Sequence, residues 1–253
     1  MYNRWRKSGH SFDLGRMNLR DLFMAYGSHP AVHLYLAGAV ASGVLAVHDS
    51  LGPWHTLRAM LATMLAYPVA WYAIHRFILH GRFLYRFRLT ASLWKRIHFD
   101  HHQDPGRMDV LFGSPLTTLP TILAILIPLG WLIGGGIGGA AASVCAGLLI
   151  TCAYEFCHCI QHLNFKPRNS MLRRMKELHL AHHYRDEEGN YGIMSFVVDR
   201  LFGTYYGSAR ERPRSPHVFN LGYDLPEAAR FPWVARLSGG PPRDHPPRPG
   251  GAA

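Results

Sequence analysis

Four stretches of this chain, Ala31–Val47, Ala59–Ile74, Thr117–Ile133 and Ile137–Tyr154, contain no Asp, Glu, Lys or Arg. Each runs to 16–18 residues, at the short end of what crosses a hydrocarbon core about 30 Å thick. The adjoining turns His75–His80 and Glu155–His162 can lengthen two of them. Any one stretch alone would also suit a buried helix of a soluble bundle. Composition favours lipid, because only 17% of residues are charged, against about a quarter in an ordinary soluble domain.

The placement of charge points the same way. Of 27 Lys and Arg, five precede the first stretch, seven lie between the second and third, and fourteen follow the fourth. Only Arg58 falls in either short connection. Two hairpins dipping into a bilayer, with both termini on the cytoplasmic side, give this distribution under the positive-inside rule. The net charge of +11 would suit nucleic acid too, but the basic residues bracket lipid-length segments, so no nucleic-acid partner is expected.

The expected fold is all-α: an integral-membrane, four-helix transmembrane bundle with a cytoplasmic helical cap. Residues 1–30 form a cytoplasmic segment, with Leu19, Leu22, Phe23 and Tyr26 at helical spacing for an interfacial or short soluble-facing helix. The segment holds Arg4, Arg6, Lys7, Arg16 and Arg20 but no apolar core, so no cleavable signal peptide is expected. Residues 31–208 form the membrane domain. Residues 209–253, rich in Pro and Arg, are expected to be disordered. Gly52-Pro53 marks one buried turn, and GGGIGG (Gly134 to Gly139) permits a tight reversal at the other. No strand precedes that glycine run, so it is a poor nucleotide loop. Pro68, Pro120 and Pro128 fall inside spans, where they would kink the helices. Cys145, Cys152, Cys157 and Cys159 lie in one apolar stretch and read as small buried residues. Cys157 and Cys159 face different ways from His158 on a helix and could not serve its ion without unwinding.

Ten of the 17 histidines form four tight groups: His75 and His80; His98, His101 and His102; His158 and His162; His179, His182 and His183. Residues at i and i+3 or i+4 share a helical face, so His158 and His162 project together. In each HxxHH triplet all three rings can point one way. His75 and His80 are the exception, since five residues turn an α-helix roughly 140° away from alignment; either the helix loosens there or the two rings reach different ions. Ten imidazoles are too many for one four-coordinate zinc. Two ions with about five nitrogen ligands each would absorb them. All four groups fall on the basic side of the chain, so two hairpins would gather them in one layer near the membrane surface.

These motifs resemble the fatty acid hydroxylase superfamily, which includes sterol desaturases and methyl oxidases, over about Tyr72 to Tyr206. HRFILH and HFDHHQDP, with the leucine-rich segment to Pro115, are similar to the fatty acid 2-hydroxylase branch. LHLAHHYRDEEGNYGI followed by DRLFGT is similar to bacterial members. The resemblance implies a di-iron centre that activates O2 with two external electrons, ligated by the ten histidines. Some relatives carry a fused haem domain; 30 residues before the first span are too few for one, so a separate electron-donor protein is expected. No catalytic residue beyond the ligands is assigned.

Asp100, Asp104, Glu155 and Asp186 lie near the ligands and are candidates to accept a second ring N–H. Tyr184 and Asn190 are candidates to line the site. Arg76, Arg82, Arg86 and Lys95 could meet an anionic headgroup or simply enforce topology. The expected activity is hydroxylation of a lipid C–H bond. A sterol or carotenoid oxidase, or a desaturase, would use the same metals. Zinc in purified protein and a non-enzymatic metal-binding role stay open, but a transporter should place ionisable groups mid-membrane, and the four stretches carry no charge.

Overall fold

A computed structural model describes residues 13–111 and 114–246. Arg4, Arg6 and Lys7 of the expected N-terminal segment, and residues 247–253 of the expected tail, lie outside the described residues. The chain divides into two units. One takes the described parts of Arg20–Ala70 and Gly113–Cys157, the other those of Ser11–Leu19, Trp71–Phe112 and His158–Ala253. Among the described residues there are helices and a single isolated bridge, Asp13 to Arg107, but no strand.

In the first unit, α1 (Leu19–Gly27) buries Leu22 and Ala25. It sets Phe23 against Phe156, ring centroids 4.9 Å apart, while the Tyr26 hydroxyl donates to the Cys152 carbonyl. Helix α2 (Pro30–His48) starts on a His29 cap with Pro30 in its first turn, where a missing N–H costs nothing. The turn at Gly52 leads into α3 (Pro53–Ala73), which contains Pro68.

Among the described residues, three segments are long and apolar enough to cross a membrane: Pro30–His48, Pro53–Arg86 and Met108–His162. Within them 28%, 22% and 22% of the apolar window is buried inside the protein, so side chains such as Val47, Leu65 and Leu132 face outward, as lipid requires. The third segment has 55 residues, about 80 Å if it were one straight helix. It is not one. Helix α7 (Pro115–Gly130) ends in a π-helical turn at Trp131–Gly135, and α8 (Gly136–His162) follows directly, with Gly135 and Gly136 both at positive φ where the two meet.

Side chains on α7 and α8 then meet in reverse order. Gly130 abuts Gly139 and Ser143, Leu126 abuts Gly147, and Ile122 and Leu126 share a core with Val144 and Leu148. The glycine run thus closes an antiparallel hairpin in which a Cβ at Gly130 or Gly139 would overlap backbone. Helices α3 and α8 run parallel: Ser143 donates to the Ala59 carbonyl at 3.2 Å and Tyr67 to Thr151 at 3.1 Å, both pairs 84 positions apart.

In the second unit, short helices follow one another: a π turn at Ile74–Leu79, α4 (Arg88–Trp94), a second π turn at Lys95–Phe99, α5 (Asp100–Gln103) and α6 (Met108–Leu111). Helix α9 (Ser170–Tyr184) is capped by the Asn169 side chain, which accepts the Leu172 N–H at 3.0 Å. Helix α10 (Val197–Leu201) and the C-terminal α11 (Leu225–Arg230) and α12 (Trp233–Ser238) complete it.

The composition of residues 209–253 predicts disorder, and up to residue 246 the structure differs. Leu221, Tyr223, Ala228 and Val234 pack with Tyr85, Trp94 and Phe99 in one buried cluster. A few large apolar anchors, spaced among the prolines and arginines, are enough to bind the segment down.

Candidate metal centre

All ten clustered histidines belong to the second unit, and the structure gathers them into two groups of five. His75, His80, His98, His102 and His182 form one; His101, His158, His162, His179 and His183 form the other. Within each group the nitrogens offered lie within 4.8 Å of one another. All are buried except His80, which is half-buried.

Local backbone explains how the motifs arrive there. In an α-helix His75 and His80 would diverge. Here Ile74–Leu79 is π-helical, and the His80 N–H bonds the His75 carbonyl five residues back at 3.0 Å. A five-residue hydrogen-bond period returns both rings to one side, and their centroids are 4.9 Å apart. The triplets differ from their expected common face. His98 and His102 join one group and His101 the other; His179 and His183 join one group and His182 the other. Each i, i+4 pair stays together, while the third ring, one position from its neighbour, swings away to the opposite group.

Three rings of the first group are held by backbone carbonyls. His75 Nδ1 donates to Tyr191 O at 2.6 Å, His102 Nδ1 to Val218 O at 2.8 Å, and His182 Nδ1 to Gly189 O at 2.7 Å. A carbonyl accepts only from N–H, so the Nε2 of each ring carries a lone pair. His98 Nε2 faces the Nε2 atoms of both His75, at 3.2 Å, and His80, at 2.9 Å; in the second group His162 and His179 meet Nε2 to Nε2 at 2.8 Å. The Nε2 atoms of His102 and His182, and both nitrogens of His101 and His183, are buried with no hydrogen-bond partner. Buried nitrogens left so are costly. A cation among the lone pairs satisfies them, so the residues fit two imidazole-bound metal ions.

Burial, reinforced by neighbouring imidazoles, holds His98, His101, His179, His182 and His183 well below the ordinary imidazole range. Burial brings His102 down to about 3, against the pull of its bond to Val218. Neutral rings are the ligating form. Because the unfolded chain binds protons that the folded rings refuse, stability is present above the unfolded value near 6.5 and is lost as pH falls from there toward about 3. Metal-stripped protein should therefore melt progressively lower from about pH 7.5 to about pH 5. A melting temperature flat over that range would show that the rings are not buried as described.

Of the carboxylates expected to support the ligands, Asp100, Asp104 and Asp186 are engaged elsewhere. Asp100 pairs with Lys95, 2.8 Å from each carboxylate oxygen. Asp104 lies among Arg107 and Arg243, Asp186 bonds Arg212 at 2.7 Å, and Glu155 is buried within α8. No hydrogen bond is found from any of the ten clustered rings to Asp100, Asp104 or Asp186 among the described residues. Tyr184 is half-exposed, its ring centroid 5.8 Å from that of Phe219 in an edge-on arrangement. Asn190, at φ 53°, bonds the Tyr206 backbone in both directions and so shapes the turn between the Gly189 and Tyr191 carbonyls. Arg76 and Arg82 line a cavity of about 230 Å³ beside His80, with Phe77, Glu187, Glu188, Tyr191 and Leu221. Arg86 instead faces Glu227 at 3.6 Å. No cysteine joins either group among the described residues.

Sequence reasoning missed the carbonyl acceptors and Asp199. The acceptors leave no trace in residue type, since every residue has a carbonyl. Asp199 and Thr204 bound the DRLFGT motif, which was the available signal.

Comparison with known proteins agrees. The family model described as fatty acid hydroxylase matches residues 60–204. The ceramide very long chain fatty acid hydroxylase SCS7 of Saccharomyces cerevisiae is 31% identical over 145 residues, covering 54% of this chain and 35% of that protein. The dihydroceramide fatty acyl 2-hydroxylase FAH2 of Arabidopsis thaliana is 28% identical over 152 residues, covering 57% of this chain and 59% of that protein. The match thus spans from about a third to three fifths of these relatives. A solved structure titled full length scs7p, with only its hydroxylase domain visible, shares the fold at a TM-score of 0.60 and 24% identity over 73% of this chain and 68% of that one. With more than half of its length matched, all ten clustered histidines included, the chain belongs to the fatty acid hydroxylase family.

Proposed function

We propose that the protein is a membrane-bound hydroxylase that inserts one oxygen atom of O2 into a C–H bond of a fatty acyl chain. The observation that carries this is the pair of buried five-imidazole groups, in a family whose matched relatives are named for fatty acyl and ceramide hydroxylation. In this reading His75, His80, His98, His102 and His182 hold one iron, and His101, His158, His162, His179 and His183 the other. Five nitrogens exceed the tetrahedral preference of zinc, which favours iron as the working metal. When bound, the irons supply O2 activation toward an unactivated C–H bond.

The balance requires two electrons and two protons from outside: one oxygen atom enters the product and the other leaves as water. A separate protein delivers the electrons. The chain's own contribution is to keep ten rings neutral, fix their tautomers and keep water from the groups. The cavity beside His80 is polar, with two guanidiniums and two carboxylates, and gives the first group an outlet for polar reactants.

The topology that accompanies this reading has four crossings, α2, α3, α7 and α8, with both termini and the histidine-bearing cap on the cytoplasmic side. The hydroxylase domain then runs from residue 31 past residue 208, taking in the folded segment up to 246.

Lipid mass spectrometry of cells with and without the gene tests the activity. A lipid heavier by one oxygen atom only when the gene is present is the expected result. A lipid lighter by two hydrogens would make the protein a desaturase, and unchanged lipids with well-expressed protein would leave a metal-binding role alone.

A further inference from the structure

Asp199 is fully buried on α10, away from any histidine in sequence. Its Oδ1 accepts the Tyr191 N–H at 2.8 Å and the Thr204 hydroxyl at 2.8 Å, while Oδ2 accepts the Gly192 N–H at 2.9 Å. The Gly192 N–H and the Tyr191 carbonyl are two ends of one peptide group. That carbonyl accepts His75 Nδ1–H at 2.6 Å, the shortest of the three carbonyl anchors in the first group. A carboxylate, a peptide and an imidazole are therefore joined in series.

We propose that Asp199 is a positioning residue for His75, acting through the 191–192 peptide. A carboxylate on the N–H end polarises the peptide and makes its oxygen a better acceptor. The stronger bond at Nδ1 fixes the ring's orientation and raises the basicity of Nε2, as a directly attached carboxylate does for many metal-bound histidines. Glycine at 192 belongs to the arrangement, since a Cβ there would press on the Ser195 backbone and lie 2.9 Å from Asp199 Oδ2. The carboxylate is itself held in place. Arg76 donates to the Tyr72 hydroxyl at 2.7 Å, Tyr72 to Thr204 at 3.0 Å, and Thr204 to Asp199. Burial pushes the Asp199 carboxyl up, and the two peptide N–H groups and the Thr204 hydroxyl oppose that.

The inference rests on the reading that the two groups hold metal, and its test separates the two. Full-length protein loaded with zinc is mixed with excess chelator, and release of the two ions is followed in time. Asp199→Ala should release one of them roughly 10–100-fold faster, the range for losing a partner of a ligand, and leave the other at the parental rate. Asp199→Asn, of the same shape with an uncharged acceptor, should fall between and keeps the test open should the alanine variant fail to fold. Because His75 belongs only to the first group, the ion of the second group serves as the internal control for general loosening. Parental release rates in both variants, or an equal acceleration of both ions, would overturn the relay, the latter showing only general loosening. Protein that takes up no metal would overturn the two-metal reading, and the relay with it.

Discussion

His182→Ala is expected to leave the protein with one metal ion fewer and to lower lipid hydroxylation by more than about 100-fold, beyond what loss of a ligand's hydrogen-bond partner costs. The ring is fully buried, with its centroid 5.0 Å from His75, 4.8 Å from His80 and 5.1 Å from His102. Its removal takes one nitrogen from the first group and strips the Gly189 carbonyl of its donor. The neighbouring Nε2 atoms, already facing one another, then have one lone pair fewer to share with a cation. Metal analysis of the purified variant beside lipid mass spectrometry of cells expressing it checks the claim. Full metal content together with more than half of the parental product would remove His182 from the site.

Truncation after Ser208 is the second large effect. The lost segment supplies the Val218 carbonyl that orients His102 and the Phe219 carbonyl that accepts from Gln103, the next residue along. It also supplies Arg243, whose backbone and side chain make three hydrogen bonds to Gln103. Four buried apolar side chains of one cluster leave with it, exposing Tyr85, Trp94 and Phe99. Loss of even one large buried aromatic costs about 3–5 kcal/mol, a large share of the total stability of a domain. The truncated chain should fail to accumulate, or accumulate without metal at the first group. Accumulation with parental metal content and melting temperature would show the segment to be dispensable.

The membrane-length segments were legible because lipid imposes one requirement, absence of charge, that composition displays directly. The histidines were legible because ten rings of one kind in four tight groups, eight of them at helical spacing, are hard to explain otherwise. What the spacing could not show was their partition. Assigning His101 away from His98 and His102 depends on where a helix changes pitch, and HRFILH makes sense only once its turn is known to be π-helical. Carboxylates close in sequence, such as Asp100 and Asp186, were natural candidates to hold ring N–H groups; both are taken by cations instead. Backbone oxygens did that work, and nothing in a side-chain alphabet marks them. The C-terminal segment was misjudged because its mean composition is polar while its few anchors, Leu221, Tyr223 and Val234 among them, are fully or almost fully buried.

The division of each triplet between the two groups has a mechanical corollary. His101 and His102 are bonded neighbours, as are His182 and His183, yet the members of each couple serve opposite nests. Two covalent links, each about 3.8 Å from Cα to Cα, thus act as rungs between the nests. The backbone spacing across the centre is thus tied to two separate helices, so shifting one nest relative to the other requires rotating these side chains or moving both helices.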